Sequence, residues 1–321
     1  MHLIDMHCDT AAKLLDSKNG EGLYENSFDI DIRGMKKAGT LAQFFACFVY
    51  MEMFQGQDRL DQAFSYAKKM ADNLKKELKM NEGMIALAGN AADILRNKEE
   101  GKISAILTLE EGGILNGEME RLEELYREGT RLVTLLWNFE NCMGYPNSTD
   151  AKIMEQGLKP FGFETVERMN ELGMIVDVSH MSDGGFWDVL RHSKAPVVAS
   201  HSSARSLCRH PRNLTDEMLR ALGENGGVAA VNFYPAFIRE DGKASKEDLA
   251  AHIKHMVNVA GIDAVAIGTD YDGFEGGTLE IDRVGKMPLL YEELQKEGFT
   301  EEQVEKIWFR NSLRVIQDVM K

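Results

Sequence analysis

The segment Ile103-Ser104-Ala105-Ile106-Leu107-Thr108-Leu109 is apolar enough to be buried, and it runs directly into Glu110-Glu111-Gly112-Gly113. Four other apolar segments also end at residues that can bind metals or carry protons. They are 3–6 before His7-Cys8-Asp9, 174–179 before His180, 196–200 before His201, and 264–269 before Asp270. Functional sites of (β/α)8 barrels form at the carboxyl ends of their parallel strands. The sequence therefore predicts an α/β fold, a (β/α)8 TIM-type barrel with a polar site at its mouth.

Strand-like and helix-like segments alternate along the chain. Strands are predicted at 2–7, 41–49, 103–109, 131–136, 174–179, 196–200, 227–233 and 264–268. Helices are predicted at 57–80, 90–97, 118–128, 160–172, 183–192, 215–224, 246–259, 288–297 and 301–320. The last helix follows Thr300, with Gln303 at the spacing of a capping box. Eight strands with helices between them is the count of a closed barrel.

No Pro-, Gly- or Ser-rich linker divides the sequence, so residues 1–321 are predicted to form a single barrel domain. A doubly wound sheet is the competing architecture. It is disfavoured because the GxGxxG turn of its commonest dinucleotide-binding form is missing from the sequence. An open sheet would also spread the five polar strand ends apart, whereas a closed barrel gathers them.

Composition narrows the range of partners. The 321 residues include 37 Lys and Arg against 52 Asp and Glu, a formal charge of -15, which argues against a nucleic-acid partner. No apolar run reaches membrane-spanning length and no signal-like segment opens the chain, so we expect no membrane partner and a cytoplasmic location. The four cysteines form no CxxC pair and are expected to be reduced. The sequence leaves open whether the protein forms a homodimer.

Histidines and a carboxylate at three strand ends are candidate metal ligands. His7 and Asp9 are two residues apart, so on an extended chain both side chains point the same way and can bind one metal. His180 and His201 follow consecutive strands, each directly after a serine. A single histidine at such a position is more often structural. Two of them together with His7 and Asp9 predict the metal centre of a metallohydrolase.

Glu110 and Glu111 compete for a place in this centre. Neighbouring side chains on a strand face opposite sides, so only one of the two can enter the barrel mouth. Glu111 precedes Gly112-Gly113, where the backbone can turn sharply, and a carboxylate there could bridge two metals. We expect Glu111 to be the ligand.

Asp270 lies in Gly268-Thr269-Asp270-Tyr271-Asp272-Gly273, where an aspartate beside glycine is usually a turn former. Because Asp270 ends the strand itself, it is the better candidate for chemistry. Asp272 is expected to shape the loop.

At these residues the sequence resembles the renal, or membrane, dipeptidase family of zinc peptidases. The resemblance runs through nearly the whole chain. Its matching stretches are Ile4-Asp5-Met6-His7-Cys8-Asp9, Glu111-Gly112-Gly113, 157–162, 176–180, 200–204, Arg212-Asn213, Val231-Asn232-Phe233-Tyr234, 268–273 and 311–314.

The resemblance implies a dipeptidase with two zinc ions, or another divalent metal, that activate a water against the peptide bond of a dipeptide, including one with a C-terminal D-residue. It implies that His7, Asp9 and Glu111 hold one ion, and that Glu111, His180 and His201 hold the other. Asp270 matches the catalytic acid and base of the family. Arg212 matches the arginine that holds the substrate carboxylate, and Trp137, Asn232 and Tyr234 are further candidate substrate contacts.

Two positions depart from better-known members of that family. Trp137 stands where the family often has a substrate-contacting histidine, and Phe237 replaces a tyrosine that helps to hold the substrate carboxylate. Asn138, Glu140 or Asn141 could supply the missing polar group. An indole cannot accept a proton or carry positive charge, so we expect a narrower substrate range, with preference for small or D-configured C-terminal residues.

Two alternative functions stay open at this point. One is hydrolysis of another carboxylate-bearing amide, such as an N-acyl amino acid, or of a phosphoester, on the same barrel. The other is a catalytically silent barrel with a binding role. The full set of ligand-type residues argues against the second.

Overall fold

The computed structural model describes residues 2–321. Its strands are β1 Leu3–Asp5, β2 Thr40–Phe48, β3 Ile85–Leu87, β4 Ile103–Glu110, β5 Thr130–Thr134, β6 Ile175–Asp177, β7 Val198–Ala199, β8 Val228–Val231, β9 Lys243–Ala244, β10 Val265–Ile267 and β11 Thr278–Leu279.

The helices are α1 Thr10–Asp16, α2 Ile32–Ala38, α3 Arg59–Met80, α4 Ala91–Glu99, α5 Met119–Glu128, α6 Ala151–Met154, α7 Pro160–Leu172, α8 Asp183–His192, α9 Asp216–Glu224, α10 Pro235–Ile238, α11 Lys246–Ala260, α12 Met287–Lys296, α13 Glu301–Glu305 and α14 Asn311–Val319. A π-helical segment, Lys306–Arg310, joins α13 to α14.

Eight parallel strands close into a barrel in the order β1, β2, β4, β5, β6, β7, β8 and β10, and β10 pairs back onto β1. The predicted (β/α)8 barrel is thus confirmed. Strand β3 stands outside the ring, since it pairs only with the first residues of β4, Ile103 to Ala105. From Leu107 onward the same edge of β4 is taken by β5.

Side chains on the barrel strands alternate between two apolar layers. Ile106 of β4 packs with Phe44 and Leu132 in a cluster to which all eight barrel strands contribute, so these side chains face the barrel interior. Leu107 and Leu109 belong to the other cluster, which the surrounding helices share. On β4 the even-numbered residues therefore face inward, and this phase decides which glutamate reaches the mouth.

The interior is closed at the end opposite the mouth by α14. Its residues Val315, Ile316 and Val319 pack in the same cluster as the inward-facing strand residues. Apolar contacts thus fill one end of the barrel, and polar side chains are left to the other, where the strands end.

Each predicted strand and each predicted helix has a counterpart, including the capping box of Thr300 and Gln303. The helix predicted at 301–320 is interrupted by the π-helical segment. Short elements, chiefly α1, α2 and β3, were not predicted, because three to seven residues carry too little periodicity. Across residues 2–321, no helix combines the length and the apolar character needed to cross a bilayer.

Candidate metal centre and active site

The Glu110 carboxylate lies between two groups of ligand-type side chains at the barrel mouth. Its Oε2 atom is 3.1 Å from His7 Nε2, and its Oε1 atom is 2.9 Å from His180 Nε2 and 3.6 Å from His201 Nε2. Asp9 completes the first group, with Oδ2 3.6 Å from His7 Nε2. One carboxylate therefore faces both groups, one oxygen to each.

Three overlapping sets of these side chains bring their ligand atoms within 4.8 Å of one another. The sets are His7, Asp9 and Glu110; Glu110, His180 and His201; and His7, His201 and Asp270. Four of the five predicted metal ligands thus lie together, from the ends of the first, fifth and sixth barrel strands of the predicted order.

The fifth predicted ligand, Glu111, does not lie with the other four, and Glu110 takes the place predicted for it in the cluster. Strand β4 extends to Glu110, which faces inward with Ile106, so Glu111 starts the turn with a left-handed φ of 84° and points away. Its carboxylate accepts hydrogen bonds from the backbone of Gly113 and the side chain of Asn141. The polar residues Ser104 and Thr108, on the even phase of the strand, were the signal in the sequence for Glu110.

A hydrogen-bond chain fixes the tautomer of His201. The Ser200 hydroxyl donates to Asp177 Oδ2 at 2.6 Å and lies 2.8 Å from His201 Nδ1. Because the serine proton is committed to the carboxylate, Ser200 accepts from His201 Nδ1–H. His201 Nε2 is left unprotonated toward Glu110. Asp177 also accepts from Thr134 and Ser179, which makes it an anchor of the site.

The tautomer of His180 is fixed in the same way by Asn138. The amide oxygen Oδ1 of Asn138 lies 2.9 Å from His180 Nδ1 and can only accept, so that nitrogen carries the proton. His180 Nε2 then faces His201 Nε2 at 3.0 Å. Two unprotonated nitrogens at this distance repel each other unless a cation shares their lone pairs.

Burial at the mouth leads to the same conclusion for His180 and His201. Burial also acts to lower the pKa of His7, but the Glu110 and Asp9 carboxylates raise it well above its usual value. Burial raises the pKa of the Glu110 carboxyl to about 7, and burial holds the pKa of His180 and of His201 well below its usual range, so both are neutral. Neutral imidazole is the form that binds metals. His7 and Asp9 keep buried polar atoms without a hydrogen-bond partner. The residues present thus fit a divalent cation, which would satisfy them together.

Asp270 lies at the edge of this cluster with one oxygen committed. Asn232 Nδ2 donates to Asp270 Oδ2 at 2.8 Å, while Asp270 Oδ1 is 3.8 Å from His7 Nε2. Burial raises the pKa of Asp270 to about 6. A Cβ at Gly273 would lie 2.1 Å from Asp9 Oδ2, so only glycine lets the following loop pass this close. Asp272 accepts from Thr10 Oγ1 and shapes that loop, as predicted.

A cleft of about 250 Å³ opens above the cluster. Glu110, His180 and Asp270 form its polar floor, and aromatic side chains form its walls. Trp137 stands on one side, packed against Phe48 with ring centroids 5.0 Å apart. The other side is made by three rings, Tyr234, Phe237 and Phe274. Clefts for drug-sized ligands hold roughly 300–1,000 Å³, so this one suits a smaller molecule.

Arg212 is buried beside the cleft. Its guanidinium donates to Ser202 Oγ and to the His201 carbonyl, both at 3.1 Å, and lies 5.4 Å from the Phe237 ring. Its Nε–H has no hydrogen-bond partner. Burial lowers the pKa of Arg212, while the negative charges of Asp270 and Glu110 act against that shift. Arg212 thus places a fixed positive charge near the site and keeps an unpaired donor at Nε.

Known proteins share both the sequence and the fold. A sequence profile of the membrane dipeptidase family, peptidase family M19, matches residues 1–321. The chain belongs to this family. An uncharacterized dipeptidase of Schizosaccharomyces pombe is 34% identical over 89% of this chain and 71% of its own length. The family assigns the chain to the metallodipeptidases, which are hydrolases that depend on a divalent metal.

Solved structures of similar peptidases have the same barrel. The crystal structure of the dipeptidase AC, of family M19, superposes with a TM-score of 0.89 at 26% identity and covers 100% of this chain and 99% of that chain. A metallopeptidase from Rhodobacter sphaeroides superposes with a TM-score of 0.88 at 25% identity, covers 99% of both chains, and carries a phosphinate mimic of the dipeptide L-Ala-D-Ala.

Several site residues of this metallodipeptidase were not predicted from the sequence. Glu110 was set aside for Glu111, and Ser200, Asp177 and Asn138 were given no role as partners of histidines. The serine directly before His201 was a visible signal for a hydroxyl partner of that histidine. Asn138 was predicted only as a possible polar group near the substrate, and no signal in the sequence pointed to its contact with His180, because the two meet only in the folded chain.

Removal of the Ser200 hydroxyl should weaken metal binding. Ser200→Ala leaves His201 Nδ1 without its acceptor, and loss of such an outer partner costs about 10–100-fold in metal affinity. Competition titration with a chromogenic chelator measures the effect. Ser206→Ala is the control, since Ser206 also donates to a carboxylate, that of Asp216, but lies outside the site. Equal affinities of the two variants would contradict the tautomer assignment.

Proposed function

We propose that this metallodipeptidase hydrolyses small dipeptides, including those with a C-terminal D-residue, at a centre of two divalent metal ions. The observation that carries the proposal is the position of Glu110. One of its oxygens faces His7 and Asp9, and the other faces His180 and His201. A carboxylate between two ligand groups is suited to bridge two ions.

The proposed ions are zinc. The donor atoms are imidazole nitrogens and carboxylate oxygens, a set that zinc accepts in catalytic sites. His7, Asp9 and Glu110 would hold one ion, and Glu110, His180 and His201 the other. When bound, such ions lower the pKa of water and polarise the scissile carbonyl. The protein contributes the orientation of each ligand, through Ser200 and Asn138.

Asp270 is the proposed general base and acid. Asn232 holds one of its oxygens, and the other is turned toward the ligand cluster at the cleft floor. From there it can take a proton from the attacking water and return it to the leaving amine. Because its amide holds Asp270 Oδ2, Asn232 has a positioning role.

Arg212 is the proposed anchor for the substrate carboxylate. Its free Nε–H and its buried charge favour an anionic group, and the charge is fixed by contacts to Ser202 and to the His201 carbonyl. An anchor beside a small cleft limits the length of substrate beyond the scissile bond. Tyr234 and Trp137 would contact the substrate side chains from opposite walls.

The cleft size supports a preference for small residues. The Rhodobacter sphaeroides relative binds a mimic of L-Ala-D-Ala in a barrel of the same fold, and the aromatic walls leave about 250 Å³ here. Trp137, on one of those walls, would exclude bulky side chains.

Assays on a substrate panel test this function. Purified enzyme should hydrolyse L-Ala-L-Ala and L-Ala-D-Ala faster than dipeptides with aromatic residues, because the cleft is small. N-acetylalanine and p-nitrophenyl phosphate should stay at background, and amine release followed by ninhydrin or mass spectrometry reports the peptides. Faster turnover of N-acetylalanine or of p-nitrophenyl phosphate than of the dipeptides would contradict the proposal.

Metal content distinguishes the two glutamates. Elemental analysis of protein prepared without chelator should find close to two zinc ions per chain in the parent. Glu110→Gln should lose most of this metal, since the amide is uncharged and has a single oxygen for the two ligand groups. Glu111→Gln should keep it, because Glu111 is turned away. Retention of two ions in Glu110→Gln would remove Glu110 from the centre.

Turnover of Asp270→Asn tests the proton-transfer role. The amide keeps the shape of the side chain but cannot take a proton, so kcat should fall by roughly 10²–10⁴-fold, the range for a lost acid or base. Metal content measured on the same sample should match the parent. A variant that loses one ion would show instead that Asp270 belongs to the ligand set.

A further inference from the structure

Glu111 is a buried carboxylate outside the ligand cluster. It is 1% exposed, and its φ of 84° lies in the left-handed region that residues other than glycine rarely adopt. Such a backbone is strained and persists only where the surroundings hold it. A buried charge in a strained position therefore calls for a physical reason, and the contacts of its carboxylate give one.

The Glu111 carboxylate ties the turn after β4 to the loop after β5. It accepts from Gly113 N at 2.7 Å within its own turn, and from Asn141 Nδ2 at 2.7 Å and Trp137 N at 3.2 Å across the gap. Asn141 in turn donates to the Leu135 carbonyl. The loop of residues 135–143, here called the mouth loop, is thus fastened at its start and near its end.

The turn after β4 and the mouth loop are closely packed against each other. A Cβ at Gly112 would lie 2.9 Å from the Leu135 carbonyl oxygen, and one at Gly113 would lie 2.3 Å from Glu111 Oε1 and 2.8 Å from Asn141 Cβ. Only glycine fits at either position. The left-handed turn at Glu111 and the two glycines after it therefore bring the carboxylate directly against the mouth loop.

The mouth loop carries two side chains that reach the active site. The ring of Trp137 lines the cleft, packed against Phe48 and Tyr50 at centroid distances of 5.0 and 5.5 Å. Asn138 Oδ1 accepts from His180 Nδ1 at 2.9 Å. Any shift of the backbone at Trp137 therefore moves one wall of the cleft and the partner of a metal-ligand histidine.

We propose that Glu111 is a positioning residue that sets the side-chain selectivity of the enzyme. Its carboxylate holds the mouth loop so that Trp137 narrows the cleft, and it acts on substrate only through that loop. This inference rests on the proposed dipeptidase function, with Trp137 as a wall of the substrate cleft.

The variant Glu111→Gln tests the inference with little change in volume. Trp137 N and Asn141 Nδ2 both donate to the Glu111 carboxylate. The amide of Gln replaces one carboxylate oxygen with an NH2 group, which cannot accept, so the mouth loop loses a charge-assisted hydrogen bond. The selectivity ratio is kcat/KM for L-Ala-L-Ala divided by kcat/KM for a bulky dipeptide, either L-Phe-L-Ala or L-Ala-L-Phe. In Glu111→Gln this ratio should fall by roughly tenfold for at least one of the two bulky dipeptides. With zinc in excess, metal content should stay as in the parent, because every side chain of the ligand cluster is unchanged.

A double-mutant cycle with Trp137→Ala distinguishes a positioning role of Glu111 from general damage to the fold. Once the indole is gone, Glu111→Gln should no longer change the selectivity ratio. Glu140→Gln is the matched control, because Glu140 lies on the same loop but pairs with Lys159 at the surface, and it should leave the ratio as in the parent. Asn141→Asp, which keeps the bond to Met143 N but removes the donor to Glu111, should reproduce the effect if Glu111→Gln does not fold.

Each outcome of these assays has one meaning. An unchanged ratio in Glu111→Gln or, where that variant does not fold, in Asn141→Asp overturns the inference, and so does an effect that persists in the Trp137→Ala background. Equal loss on every substrate would give Glu111 a purely structural role. A parent enzyme that hydrolyses no dipeptide overturns the proposed function as well, and is recognised before any variant is compared.

Discussion

Two unprotonated imidazole nitrogens, on His180 and His201, face each other across 3.0 Å, and the rest of the mouth is arranged around that constraint. Asn138 and Ser200 accept hydrogen bonds from the Nδ1–H groups on the other side of the two rings. Burial keeps both rings neutral. Two lone pairs this close repel each other unless a cation lies between them. Glu110, whose Oε1 lies beside His180 Nε2, contributes a negative charge that would bind the same cation.

Rigid hydrogen bonding beneath the site explains how this geometry is kept. Asp177 accepts from side chains of β5 and of the ends of β6 and β7, and Asp5 accepts from Thr269 at the end of β10. Each carboxylate therefore links neighbouring strands just below the ligands. Outer partners of this kind orient the ligands themselves, so the barrel acts as a frame whose strand ends cannot move independently.

The pattern of residues along the strands predicted most of the site. His7, Asp9, His180 and His201 were visible because each follows a buried strand, and the closed barrel brings such ends together. Glu110 was missed by one residue. Gly112-Gly113 drew attention to the residue directly before the turn, although the inward phase of the strand, marked by Ser104 and Thr108, had already fixed the answer.

The sequence by itself determined the barrel, its eight strands and the residue types at the mouth, because periodicity and strand ends are local properties that the chain carries wherever it folds. Only the tertiary structure decided what Glu111 and Asn138 do. Their partners, Asn141, Trp137 and His180, lie 26 to 42 residues away in the chain. Contacts of that range depend on how two loops pack at the barrel mouth, and no local pattern of residues encodes that packing.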